Sequence, residues 1–87
     1  MNFTIAECKE TSREMSVEVF KDGNKYGVLL AYNLNGESKI RTRIFNTIDK
    51  AFELFTLMSK YFVYGLYSTN DRFEIFQNWS GENAETK

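Results

Sequence analysis

Residues 33–47, NLNGESKIRTRIFNT, hold the choice on which this fold turns. Asn35-Gly36 is a turn signal. After it, Lys39, Arg41 and Arg43 alternate with Ile40, Thr42 and Ile44, which is the period of a strand. Successive strand residues point to opposite faces. One residue more or less in the turn therefore decides whether the cations or the isoleucines enter the core. The run stops at Phe45-Asn46-Thr47, where helical spacing begins.

The upstream strands supply the frame. Met15, Val17 and Val19 alternate with Ser16, Glu18 and Phe20, and Tyr26, Val28, Leu30 and Tyr32 share one face of the next run. Asp22-Gly23-Asn24 between them is a hairpin signal. A two-residue loop there, Asp22-Gly23 or Gly23-Asn24, puts Val17 and Val19 beside Tyr26, Val28 and Leu30.

At the second turn, a two-residue Asn35-Gly36 loop sets Lys39 and Arg41 beside Tyr32 and Leu30. A three-residue loop, Leu34-Asn35-Gly36, instead sets Ile40 opposite Leu30 and Thr42 opposite Val28. The hydrophobic match favours the longer loop, with Gly36 as its left-handed last residue. The expectation is two unequal hairpins. Met15, Val17, Val19, Tyr26, Val28, Leu30, Ile40 and Ile44 then form the buried face. Glu18, Phe20, Leu29, Ala31, Lys39, Arg41 and Arg43 form the open one.

Phe3 and Ile5 suggest a short strand at residues 2–8. Downstream, Asn46 or Thr47 caps a helix with Asp49 near its positive end. Ile48, Ala51, Phe52, Phe55, Met58 and Phe62 follow helical spacing, and Phe52 and Phe55 are the expected anchors on the sheet. Leu54, Leu57, Tyr61 and Tyr64 widen the apolar side, and Gly65 is a stop signal. Residues 66–79 fit a helix capped by Asn70, with Phe73, Phe76 and Trp79 inward, or a strand with Phe73, Ile75 and Trp79 on one side; the helix is preferred. The expected class is α+β: an antiparallel meander of three to four strands, one long helix packed on one face, and a short C-terminal helix or strand. Residues 1–79 form a single domain and 80–87 a flexible acidic tail.

Composition bounds the function. The chain has 87 residues, 43% of them hydrophobic and 16% aromatic, enough for one dense core. A net charge of −1 excludes a strongly basic nucleic-acid binder, though not a local basic patch. There is no His and only Cys8, which excludes Cys₂His₂ or Cys₄ zinc sites and Ser-His or Cys-His catalytic pairs. No catalytic residues, metal or cofactors are expected. No apolar run reaches the ~18 residues that span a bilayer, so no membrane partner is expected. The opening MNFTIAECKE lacks a basic segment followed by an apolar one, so the expected location is cytoplasmic. Phe, Tyr, Met, Ile, Asn and Lys, from AT-rich codons, far outnumber Gly, Ala, Arg and Pro. That bias suggests an AT-rich bacterium, a mobile element or a phage.

Two surfaces could carry function. Lys39, Arg41 and Arg43, with Phe20 to stack on bases, would make a nucleic-acid-contacting sheet face; the same cations equally suit a merely solvated strand. Alternatively, Glu14 and Glu18 with exposed aromatics at Tyr67 and Trp79 would contact a protein; the same residues also serve as solubility charge and core. Lys25–Phe55, with "KYGV", "NGESKIRTRIFNT" and "DKAFELF", resembles the strand-strand-strand-helix modules of phage integrase arm domains, and the resemblance implies an open sheet face against DNA. The favoured reading is a small non-catalytic binding module, a phage or mobile-element inhibitor of the anti-CRISPR type. Its partner would be a host protein or nucleoprotein complex, with the module itself a monomer or homodimer. A small nucleic-acid-binding protein is the alternative.

Overall fold

The computed structural model describes residues 2–10 and 14–80. The tail expected at 80–87 lies outside the described residues apart from Ser80. Four strands, β1 (Asn2–Lys9), β2 (Met15–Asp22), β3 (Lys25–Leu34) and β4 (Glu37–Phe45), form one sheet in chain order, each antiparallel to the next. Two helices follow, α1 (Ile48–Tyr64) and α2 (Thr69–Asn78). Both pack on the face carrying Met15, Val17, Val19, Val28 and Leu30. The architecture is the expected α+β meander, with four strands and a helical C-terminal element.

The first hairpin has the expected short loop. Asp22 pairs with Lys25 around Gly23-Asn24, and Gly23 takes a φ of 64°. Val17 and Val19 stand opposite Leu30 and Val28, and all four are fully buried.

The second hairpin corrects the expectation. Leu34 pairs with Glu37, so the loop is Asn35-Gly36 and the hairpins are equal in length. Both loop residues have positive φ, 54° and 84°, the pattern of a type I′ turn. This turn follows the right-handed twist of its strands, and asparagine followed by glycine is the pair that adopts it at least strain. Turn chemistry outweighed the hydrophobic match. Arg41 therefore stands opposite Leu30 and Arg43 opposite Val28, on the helix side. Ile40 and Ile44 turn to the open face and are 55% and 48% exposed.

Phe20 lies on that open face as expected, yet it is buried, because its ring lies across Gly27 on β3. A Cβ at residue 27 would meet the Phe20 ring directly. The missing side chain is what admits the ring.

Each helix start is capped by a hydroxyl. Thr47 Oγ1 accepts from the Lys50 N–H at 3.4 Å, and Ser68 Oγ, in place of the expected Asn70, accepts from the Asp71 N–H at 3.2 Å. Asp49 and Asp71 sit in the first turns, where the helix dipole favours them. α1 stops at Gly65, φ 67°, and the Leu66 N–H closes on the Tyr61 carbonyl at 2.9 Å.

α1 buries Ala51, Leu54, Met58, Tyr61 and Phe62. Phe52 and Phe55 flank that stripe, half-buried and edge-to-face with each other at 5.7 Å, so Leu54 and Met58 are the anchors instead. α2 buries Phe73 and Phe76, and Trp79 follows them into the core.

Candidate functional site

The proposed phosphate contacts do not form one surface. Arg43 Nη1 donates to the carbonyls of Phe76, Gln77 and Trp79 at 2.8, 3.2 and 2.8 Å, closing the end of α2. Arg41 lies over the Phe73 ring, 5.6 Å from its centroid, and its Nη1 donates to the Ile40 carbonyl. Lys39 is exposed on the same side of β4. Phe20 is on the opposite face of the sheet, where Leu29, Ala31, Ile40 and Ile44 give an apolar surface in place of a basic one. Glu18 Oε2 there accepts from Thr4 Oγ1 at 2.8 Å.

The residues expected to meet a protein partner also separate. Glu18 is on the open sheet face, and Glu14 precedes β2, where its carbonyl accepts from the Asn33 N–H at 2.8 Å. Trp79 is buried edge-on against Phe45 at 5.8 Å, with the Lys50 ammonium over its ring. It is a core residue and offers no exposed aromatic. Tyr67 alone of the four is an exposed aromatic.

Around Tyr67 the chain assembles a surface of its own. Val63, Tyr64 and Tyr67 are 70%, 71% and 56% exposed, and Leu66 is exposed beside them. All four lie at the end of α1 and in its connection to α2. Tyr67 holds a φ of 68°, a left-handed conformation that a large side chain seldom adopts. Its ring contacts Tyr61 at 4.8 Å, edge to face. A shallow groove of about 610 Å³ between the helices starts there, with Leu57, Leu66, Tyr67, Ile75 and Trp79 among its walls and Lys60 at its rim. A second depression of about 560 Å³ shares Leu57, Lys60 and Trp79 and adds Asp49, Phe52 and Glu53. One carboxylate oxygen of Glu53 is buried without a hydrogen-bond partner. Apolar walls with Lys60 shared between the two depressions and Asp49 and Glu53 beside the second suit the docking of side chains.

Arg72 was not singled out by sequence and is central to this end of the molecule. It is 5% exposed. Its Nε donates to the Leu66 carbonyl at 2.8 Å and its Nη2 to the Tyr61 carbonyl at 3.3 Å, and Glu10 Oε2 lies 3.8 Å from Nη1. It thereby holds the α1–α2 connection in which Tyr67 sits. A lone arginine at a solvent-compatible spacing carries no sequence signal of such a role. Tyr64, which by helical spacing belongs to the apolar side of α1, and Val63, which carries no distinguishing signal in the sequence, are both exposed.

Among the described residues no group of three or more His, Cys, Asp or Glu is placed to hold a metal ion, and no helix is long and apolar enough to cross a membrane. No protein-family model matches the chain, and comparison with curated proteins and with solved structures finds no significant similarity.

Proposed function

We propose that this protein is a non-catalytic binding module that docks on a larger protein or nucleoprotein assembly through the end of its helical layer. The supporting observation is the exposure of Val63, Tyr64, Leu66 and Tyr67 within one short stretch of chain, with Tyr67 held in a strained backbone conformation. Exposed apolar clusters containing tyrosine are the usual anchors of protein interfaces. Strain of roughly 1–3 kcal/mol at one residue persists where the surroundings enforce it, and such residues cluster at binding sites. The small size and the AT-rich composition fit an inhibitor of the anti-CRISPR type from a phage or mobile element, acting in the host cytoplasm. The alternative basic sheet face loses its support, because Arg43 is committed to α2 and Phe20 lies on the other face.

The test is capture of partners from a host lysate, with and without nuclease, by the wild type and by a Tyr64→Ser, Tyr67→Asn variant. Asparagine tolerates the left-handed backbone at 67, so the fold is kept. A nuclease-resistant protein partner that the variant loses is the expected result. Recovery of nucleic acid alone overturns the reading.

A further inference from the structure

The sheet has two edges, and they differ. Along β1 the register shifts between Thr4 and Ala6, leaving Ile5 as an extra residue. Such a bulge twists an edge and interrupts its row of free backbone groups. β4 pairs with β3 without interruption from Glu37 to Phe45, and among the described residues no strand lies on its other side.

The short hairpin sets the phase of that edge. In a two-residue loop the flanking residues, Leu34 and Glu37, form a hydrogen-bonded pair. Glu37, Lys39, Arg41, Arg43 and Phe45 then bond to β3. Ser38, Ile40, Thr42 and Ile44 aim their N–H and C=O groups away from the sheet. The Ile40 carbonyl agrees with this phase: its partner is the Arg41 guanidinium at 3.1 Å, not a strand. Every residue from Glu37 to Thr42 is exposed.

We infer that β4 takes an added strand from a partner protein, supplied by an extended segment that alternates acidic with apolar side chains. Strand addition draws affinity from main-chain hydrogen bonds and specificity from alternate side chains. On the helix side of the edge, Lys39 and Arg41 are exposed cations, so the side chains beside them are acidic. On the other side, Ile40 and Ile44 present exposed apolar surface, so the side chains beside them are apolar. A second copy of β4 is a poor occupant. Antiparallel pairing of two copies about a two-fold axis normal to the sheet sets Lys39, Arg41 and Arg43 opposite one another, and like charges directly opposite are destabilising. This surface is distinct from the helix end and goes beyond the docking reading above.

The test uses two short synthetic peptides of equal length, one alternating glutamate with valine and one alternating lysine with valine. Amide hydrogen exchange is followed by NMR. The glutamate peptide is expected to slow exchange at Ser38, Ile40, Thr42 and Ile44, and the lysine peptide to bind roughly tenfold more weakly. Ile40→Pro deletes one outward N–H at an edge where proline is tolerated, and should abolish the protection. Arg41→Glu, which leaves the backbone intact and offsets the charge of Lys39, should erase the preference between the peptides. Failure of the glutamate peptide to slow these amides, or equal slowing by both peptides, overturns the proposal. So does protection by a single-stranded oligonucleotide in place of the peptide, which would make the cations phosphate contacts. The readout sits on β4 alone, so its outcome is separate from that of capture through Tyr64 and Tyr67.

Discussion

The Arg43 guanidinium donates to the Trp79 carbonyl at 2.8 Å, joining β4 to the end of a helix that folds 36 residues later. The same nitrogen reaches the carbonyls of Phe76 and Gln77. α2 has no basic residue in its own last turn, and neither has α1. Arg43 supplies the missing donor to α2, and Arg72 supplies it to α1 through the carbonyls of Tyr61 and Leu66. Each helix end is thus closed by an arginine from a different element. The last carbonyls of a helix carry the negative end of its dipole, so a cation there satisfies both hydrogen bonding and charge.

Replacing Arg43 with Gln should destabilise the protein by about 1–3 kcal/mol, the range for charge-assisted bonds to carbonyls that are then left short of donors. Arg41→Gln, at an exposed position, should change stability by no more than about 0.5 kcal/mol. Urea unfolding of the two variants checks this. Equal effects would mean that Arg43 does not close α2.

Arg72→Met should cost about 3 kcal/mol or more, because the Leu66 carbonyl loses its charged donor and Glu10 its cation. Arg72→Lys should recover only part of the loss. An ammonium on a single stem cannot reproduce the planar fork that meets two carbonyls at once. Thermal melts of both variants, with the Tyr67 ring followed by NMR, separate a global loss from a local one.

Leu54→Ala and Met58→Ala should each cost about 2–5 kcal/mol, since both side chains are fully buried between helix and sheet. Phe52→Ala and Phe55→Ala should cost less, about 1–2 kcal/mol, because each is only partly removed from water. Chemical denaturation of the four variants reads the order directly, and the reverse order would mean a rotated helix.

Gly36→Val should destabilise the hairpin by about 2 kcal/mol. The position has open space around it, so the whole effect is backbone strain at φ 84° for a β-branched residue. Faster exchange of β4 amides should accompany it. A neutral outcome would argue against the I′ turn and the register that depends on it.

Much of this architecture was legible from local pattern. The alternation in residues 15–32 fixes β2, β3 and their shared buried face, and Thr47, Asp49 and Gly65 bound α1 by cap, dipole and left-handed stop. The candidate site was read less well. Both Tyr67 and Trp79 are expected as exposed contacts, yet Tyr67 is exposed and Trp79 is core. Aromatic side chains carry the same sequence signature in both places, and only the neighbours Phe45 and Lys50 distinguish them.

By itself the sequence determined the strands between Met15 and Phe45 and the long helix after them, because propensity, periodicity and capping act over a few residues, whereas residues 66–79 fitted a helix or a strand until packing made them α2. The tertiary structure alone decided what the alternating cations of β4 do. Hydrophobic matching is a sum of small preferences, and it pointed Ile40 and Ile44 inward. The Asn35-Gly36 turn imposed the opposite phase, and that phase is tolerable only because α2 arrives later in the chain. Its terminal carbonyls take up Arg43, and its Phe73 ring lies under Arg41. A charged side chain can enter the edge of a core when a distant element brings acceptors to it, and no window of sequence around residue 43 contains that element.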